Sequence, residues 1–429
     1  MNFDREKFNA VKAAFTLDDD ALRTMVEDFR ADMRAGLAGE PHAMMRMLRS
    51  YLGLPSGKEN GTFLALDFGG TNVRALRILL KGGGDYEVLS KVAKPLTMPG
   101  LYDHISADAT AEEMFDFLAE LIDEAIEGNR TTPYLLGHTF SFPSRQTDIY
   151  NAELIIWTKE FATRGVEGKV VNDLLKEALA RRGMTNVTPV AVINDTVAVL
   201  LAAAYKNEHT YIGSIYATGQ NTCYYEEFAD GSAPATIINM ESGGFCNLPC
   251  TKYDDAIDRE SEKPGAQRLE KMVSGRYLGA LYGAALADLL GADGIYPFTS
   301  IELSEIVADA YLDRHSAGAA IEAKTGMTFS AAERTLLQEL ATAVIVRSAR
   351  IVAATYAGII QHRRGEDELE NQFIAVDGSV YEKVPLVAHH LRAALDMLLM
   401  DEAVNVQIIL ENTGSALGAA LAAAMTETK

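Results

Sequence analysis

The chain has 429 residues, 48% of them hydrophobic and 23% charged, with a formal net charge of -21 at pH 7. That much apolar material can bury a sizeable core and suits two domains. The acidity argues against a nucleic-acid surface or an anionic-membrane partner, both of which would repel the chain; an anion held here needs backbone N–H groups, a metal ion or a few placed cations.

Residues 1 to about 60 carry Leu17, Leu22, Met25, Phe29 and Met33 at helical spacing and predict a helical lead-in. The opening MNFDREKFNAVKAAF mixes both charge signs and has no apolar centre, so no signal peptide is expected. From Thr62 the period turns to strands: TFLALDF, NVRALRILLK, a turn at Gly82-Gly83-Gly84, then DYEVLSKV. Residues 111–127 predict a helix, PYLLGHTFSF a strand, 170–182 a helix, and PVAVIND a buried strand ending in polar residues. The longest apolar stretch, VTPVAVINDTVAVLLAAAY, has Asn194 and Asp195 at its centre, which makes it a strand followed by a helix; no membrane span is expected.

The pattern then restarts. HTYIGSIYATGQNTCYYEEF places Ala217-Thr218-Gly219-Gln220-Asn221 where the first half has Phe68-Gly69-Gly70-Thr71-Asn72, an offset of 149 residues that implies two related halves. Helices follow at about 264–292 and 330–362, then the strand QFIAVDG, a helix at about 384–399, the strand VQIIL and an Ala-rich helix after Asn412-Thr413-Gly414-Ser415. Strands and helices alternate as in an α/β fold. Three cysteines, Cys223, Cys246 and Cys250, make no disulfide framework and fit a reducing cytosol, and the last two lack neighbours to complete a zinc site.

The turn after LALDF interrupts a strand with two glycines and a threonine. Such a turn exposes successive N–H groups without Cβ obstruction, which makes a phosphate cradle, with Asp67 placed before it to hold a hydrated Mg2+. The plain alternative is a hairpin turn. No G-x-x-x-x-G-K-[ST] occurs, so a P-loop is excluded. Ser141-Phe142-Pro143 at a strand end, Thr158-Lys159 in a loop and Asn194-Asp195 at another strand end suit a sugar, whose hydroxyls each donate and accept. Asn-Asp at a strand end is more often a helix cap, and Asp195 can cap while still presenting its carboxylate.

Taken together, FLALDFGGTNVR, FSFPSRQTDI, WTKEFATRGVEG, VAVINDTVA, ATGQNTCYYEE, INMESGGF, KPGAQRLEKMVSGRYLG and AVDGSVYEKVP resemble the hexokinase family, in its order and spacing over roughly residues 60–421. The likeness is to eukaryote-type hexokinases and glucokinases; the zinc-binding cysteine cluster of the bacterial repressor-like kinases is absent. It implies an actin-like (ribonuclease H-like), duplicated, two-lobed fold closing over a sugar: a helical segment at 1–60, a small lobe at 61–194, a large lobe at 195–413 and a C-terminal helix at 414–429 returning toward the small lobe. It implies transfer of the γ-phosphoryl group of Mg-ATP to the 6-hydroxyl of glucose, mannose or fructose, with Asp195 as base and Lys159 near the transferred group. Carried over by position, Ser141, Phe142, Pro143, Thr158, Lys159, Asn194, Asp195, Asn221, Glu241 and Glu270 face the sugar. Asp67, Gly69, Gly70, Thr71, Asn72, Arg74, Thr218, Gly219, Gly414 and Ser415 face the nucleotide, and Asp67 and Asp195 hold Mg2+ through water. Glu270 has an alternative as a surface helix charge. The expected partners are a hexose and a nucleotide, in a cytoplasmic monomer or homodimer without nucleic acid or membrane.

The chain departs from that pattern around the nucleotide. Ala217 and Gln220 stand where the second phosphate turn has a glycine and a threonine, and an added methyl can crowd a phosphate. Asn412-Thr413-Gly414-Ser415-Ala416-Leu417-Gly418 lacks the lysine and two carboxylates of Glu-Asp-Gly-Ser-Gly-Lys-Gly. Ser242 replaces a tryptophan, and Cys246-Asn247-Leu248-Pro249-Cys250 replaces an acidic Gly-Asp-Asp-Gly. A donor other than ATP, or a hexose sensor that has lost transfer, are the alternatives these changes raise; a sensor needs no base together with two phosphate turns.

Overall fold

Two mixed sheets repeat one strand order. In the first, the parallel strands Val187–Ile193, Tyr134–Phe140 and Asn60–Phe68 lie side by side, and Asn72–Gly82 and Asp85–Pro95 extend the sheet antiparallel. In the second, Val406–Leu410, Gln372–Asp377 and Thr210–Tyr216 are parallel, and Gln220–Glu226, Thr236–Asn239 and the two-residue Leu48–Arg49 continue antiparallel. The related halves implied by the matching turns are therefore present as matching sheets, each led in the chain by a hairpin. The computed structural model describes residues 3–427 other than 69, 71, 159, 229, 230 and 366.

The central strands are covered on both faces, which is why they read as unbroken apolar runs. Leu64, Leu66 and Phe68 face a core shared with the helices Ala111–Ala125 and Val171–Arg181. Phe63 and Ala65 face another, built with Asp195–Lys206 and Gly414–Glu427, to which Cys223 and Ile237 of the second sheet also belong. These two helices thus lie between the sheets. Glycine lets them touch backbone to backbone: a Cβ on Gly418 would come to 2.2 Å from the Ala198 carbonyl oxygen.

The largest core joins the helices Arg5–Ala13 and Asp19–Leu37 to the 34-residue helix Ala331–Arg364 through Phe8, Phe29, Val344 and Ile351. That long helix is apolar enough to cross a membrane by length and composition, but 89% of its most apolar window is buried within the protein. Its apolar faces are those of a core helix.

Several elements differ from the sequence expectation. Helical structure in the lead-in ends at Leu37, and residues 48–49 join the second sheet instead. The helix expected at 264–292 is two, Arg268–Val273 and Gly275–Leu290, broken at the extended Ser274, where a Cβ on Gly275 would lie 2.9 Å from the Ala217 carbonyl oxygen. Tertiary contact with the turn at 217 sets that break. The helix expected at 384–399 is present as Val387–Leu399, preceded by a short, unexpected helix Ser379–Lys383. The strand Thr236–Asn239 and the helices Lys252–Glu260, Ser300–Ala308 and His315–Thr325 were not anticipated, although Thr251 and Thr299 open two of these helices with capping boxes to Asp254 and Glu302.

Candidate active site

A cavity of about 680 Å³ lies between the sheets. The first half lends it Ser141, Phe142 and Pro143, just beyond the strand Tyr134–Phe140, together with Thr158. The second lends Thr218, Gly219, Asn221, Glu241 and Glu270, and Asn194 and Asp195 enter where the strand Val187–Ile193 becomes the helix Asp195–Lys206. Ser141 and Glu270, 129 positions apart in sequence, thus share one wall system. Phe142 contributes an edge only, since its ring is buried among Phe140, Trp157 and Phe161 at centroid distances of 4.9, 4.8 and 4.8 Å.

The cap falls on Asn194, which corrects the expectation that Asp195 caps. Asn194 is extended, and its Oδ1 accepts from Thr196 N at 2.9 Å and Thr196 Oγ1 at 2.7 Å. Asp195 is the first helical residue, its Oδ1 accepting from Thr196 N at 2.8 Å. A carboxylate at a helix N-terminus is favoured as an anion by the exposed N–H dipoles.

The opposite wall is a chain of amides and carboxylates. Asn221 Nδ2 donates to Asn239 Oδ1 at 2.9 Å, and Asn239 Nδ2 donates to Glu241 Oε1 at 2.9 Å. Asn239, which sequence reasoning passed over, is the link. Glu241 holds a left-handed φ of 54°, rare for a residue with a side chain and concentrated at functional sites. Burial pushes its carboxyl up, and the charge of Asp195 adds to the shift against the hydrogen bond from Asn239. Glu270 Oε2 accepts from Gln220 N at 3.1 Å, and a Cβ at position 219 would stand 2.9 Å from the same oxygen, so a side chain there would displace the carboxylate. The alternative of Glu270 as an outlying surface charge does not match this placement.

A second cavity, of about 250 Å³, gathers Asp67, Arg74 and Ser415 with Asp377, Asn412 and Thr413. Arg74 Nη1 donates to Asp67 Oδ2 at 2.9 Å, and Thr139 Oγ1 donates to Asp67 Oδ1 at 3.1 Å. Asp377 was not singled out from sequence; only its position at the end of QFIAVD signals it. Burial pushes its carboxyl up to about 6, and the charges of Asp195, Glu411, Asp67 and Glu382 act in the same direction. Gly70 and Asn72 are exposed beside the first hairpin and line neither cavity. Gly414 lines neither as well: it is buried, and a Cβ there would lie 2.9 Å from Val199 Cα, so its role in the fold is close packing. Gly69, Thr71 and Lys159 lie outside the described residues. The Ala217 methyl faces Gly378, where an added Cβ would lie 2.8 Å from it. Cys246 and Cys250 are exposed thiols, and no cluster of three or more His, Cys, Asp or Glu poised to hold a metal occurs among the described residues.

Two hexokinase family models match residues 7–205 and 211–425. The chain is 34% identical to human hexokinase HKDC1 over 458 residues, covering 99% of this chain and 48% of that protein, so it spans about half the length of that relative. It is 32% identical to hexokinase-2 of Candida albicans over 461 residues, covering 99% of this chain and 93% of that one. The solved Schistosoma mansoni hexokinase complexed with glucose superposes with a TM-score of 0.82 at 29% identity, covering 98% of this chain and 99% of that one. The paired sheets are those of the actin-like, two-lobed α/β fold. By sequence and by fold, the chain belongs to the hexokinase family.

Proposed function

We propose that the protein transfers the γ-phosphoryl group of Mg-ATP to the 6-hydroxyl of glucose or a close relative such as mannose or fructose. The observation that carries this reading is the meeting of Asp195 with Asn194, Asn221, Glu241 and Glu270 in one cavity, beside the Thr218-Gly219 turn. Each sugar hydroxyl donates and accepts, so carboxylates take its proton side while amides serve either side. In the proposed reaction the 6-oxygen forms its bond to the γ-phosphorus as the bond from phosphorus to the nucleotide's bridging oxygen breaks. The hydroxyl proton passes to the carboxylate of Asp195. A loose transition state asks that base mainly for orientation and late proton acceptance, which an ordinary aspartate can supply.

Asp67 and Asp195 would hold Mg2+ through water. The donor set fits a hard cation: these are carboxylate oxygens, and Asp377, pushed up to about 6 first by burial and then by the charges of Asp195, Glu411, Asp67 and Glu382, marks a concentration of negative charge beside them. When bound, Mg2+ neutralises charge on the phosphates. Lobe closure around the helices Asp195–Lys206 and Gly414–Glu427 would exclude water, the competing nucleophile.

The test is coupled phosphorylation of glucose, mannose, fructose and N-acetylglucosamine with ATP and Mg2+, beside GTP, polyphosphate and pyrophosphate. Turnover with glucose and ATP is expected. Turnover with another donor alone would overturn the nucleotide assignment, and sugar binding without any turnover would overturn phosphoryl transfer.

A further inference from the structure

Glu241 and Glu270 come from different elements, a turn after the strand Thr236–Asn239 and the helix Arg268–Val273, and one buried residue touches the support of both. Gln220 is 2% exposed. Its backbone N–H donates to Glu270 Oε2 at 3.1 Å. Its side-chain Oε1 accepts from Ser242 Oγ at 3.3 Å, and its Nε2 donates to Thr222 Oγ1 at 3.1 Å. Ser242 is fully buried and directly follows Glu241, the residue with φ of 54°. Ser242 N in turn donates to Asn221 Oδ1 at 3.2 Å. The next residue, Gly243, is seated against the same support: a Cβ there would lie 3.3 Å from Gln220 O and 2.4 Å from Gln267 Oε1.

We propose that Gln220 is a positioning residue that sets the spacing of Glu241 and Glu270 and thereby the KM for hexose. Its backbone orients one carboxylate directly. Its side chain orients the other through Ser242, whose hydroxyl pins the turn that forces Glu241 into its left-handed conformation. Only an amide of this length offers an acceptor to Ser242 and a donor to Thr222 from one buried group. The two positions at which the chain departs from the family pattern on this wall, 220 and 242, are therefore hydrogen-bonded to each other. The inference rests on the proposed hexose chemistry and adds to it the residue that tunes sugar affinity.

The test measures glucose KM and kcat at saturating Mg-ATP, and glucose affinity by calorimetry, for Gln220→Met, Ser242→Ala and the double variant. Ser242→Ala removes a single hydroxyl and serves as the mild variant should Gln220→Met fold poorly; the unfolding midpoint without sugar checks each. Loss of one buried hydrogen bond should raise KM and weaken calorimetric affinity by about tenfold, with kcat within about threefold of wild type. The double variant should match Gln220→Met, because that change already removes the bond to Ser242 along with the one to Thr222. KM unchanged in folded variants, a fall in kcat alone, or multiplying effects in the double would overturn the proposal while leaving hexose kinase activity intact. A wild-type protein that neither binds nor phosphorylates any hexose would overturn the proposed function, and this inference with it.

Discussion

Arg74 donates to Asp67 at 2.9 Å across the first hairpin, where the two are cross-strand partners at the mouth of the smaller cavity. The Arg74 side chain is 49% exposed, so the pair contributes about 0–1 kcal/mol to stability. Its value lies elsewhere. A guanidinium beside the proposed phosphate turn can exchange a carboxylate partner for phosphate oxygens. Arg74→Ala should leave the thermal midpoint near wild type and raise the KM for ATP by about tenfold. A drop in midpoint with unchanged KM would make the pair a strand clamp instead.

Asp195 offers a cleaner separation of binding from chemistry. Asparagine at 195 keeps an oxygen to accept from Thr196 N, the 2.8 Å bond seen for Asp195, so the helix start should survive. The base is lost. Asp195→Asn should lower kcat by about 10²–10⁴ while glucose affinity by calorimetry stays within about threefold. A kcat within tenfold of wild type would place the base elsewhere.

What could be read from sequence was whatever local chemistry writes in consecutive residues. The glycine turns after Phe68 and Tyr216, Asn194-Asp195 after a buried strand, and Glu241 within INMESGGF each carry their signal in a few positions. Asn239, Gln220 and Asp377 do not. Their meaning comes from partners brought beside them by pairing of strands far apart in sequence: Asn239 lies opposite Cys223, two residues from Asn221. Gly414 shows a signal that sequence does not write, since its missing Cβ accommodates Val199, a contact set by the packing of two helices distant in the chain. The helix Lys252–Glu260 was legible in Thr251-Lys252-Tyr253-Asp254 as a capping box, whereas the break at Ser274 was set by the distant turn at Ala217.

His138 gives the protein a predicted acid sensitivity. It is fully buried in the first sheet, stacked on Phe68 at 5.9 Å, and neither ring nitrogen has a hydrogen-bond partner among the described residues. Burial pushes it down to about 3 from an ordinary 6.5. The unfolded chain therefore binds a proton there that the folded chain refuses between those values. Stability falls as pH falls through that window, by about 1.4 kcal/mol per pH unit for this one site. His138→Leu should remove the term: between pH 7 and pH 5, wild type should lose about 2 kcal/mol more than the variant in urea unfolding. Parallel losses in the two proteins would show that another group governs the acid limb.

Arg347 and Asp254 form a buried ion pair between the long helix and Lys252–Glu260. Two bonds of 2.8 and 2.7 Å join them, with side-chain exposures of 0% and 2%. The Arg347 guanidinium also lies 4.6 Å from the Phe15 ring centroid, and Phe15 stacks on Tyr253 at 5.3 Å, so the pair ties the N-terminal helices to Lys252–Glu260 and to the long helix Ala331–Arg364. Burial alone would raise the Asp254 carboxyl, but Arg347 and Thr251 outweigh it and hold it below its ordinary value. Its stabilising effect is therefore present above the ordinary carboxylate range and fades as pH falls through the depressed value. Asp254→Asn leaves a buried guanidinium without its counter-charge and should cost about 3–5 kcal/mol in urea unfolding. Replacing both, as Arg347→Met with Asp254→Leu, should recover most of that loss, because two desolvation penalties vanish with the pair. Neither residue lines either cavity, so kcat per folded molecule should stay at the wild-type value in every variant. A double variant as unstable as Asp254→Asn would mean that the hydrogen-bond geometry, rather than the unpaired charge, carries the cost.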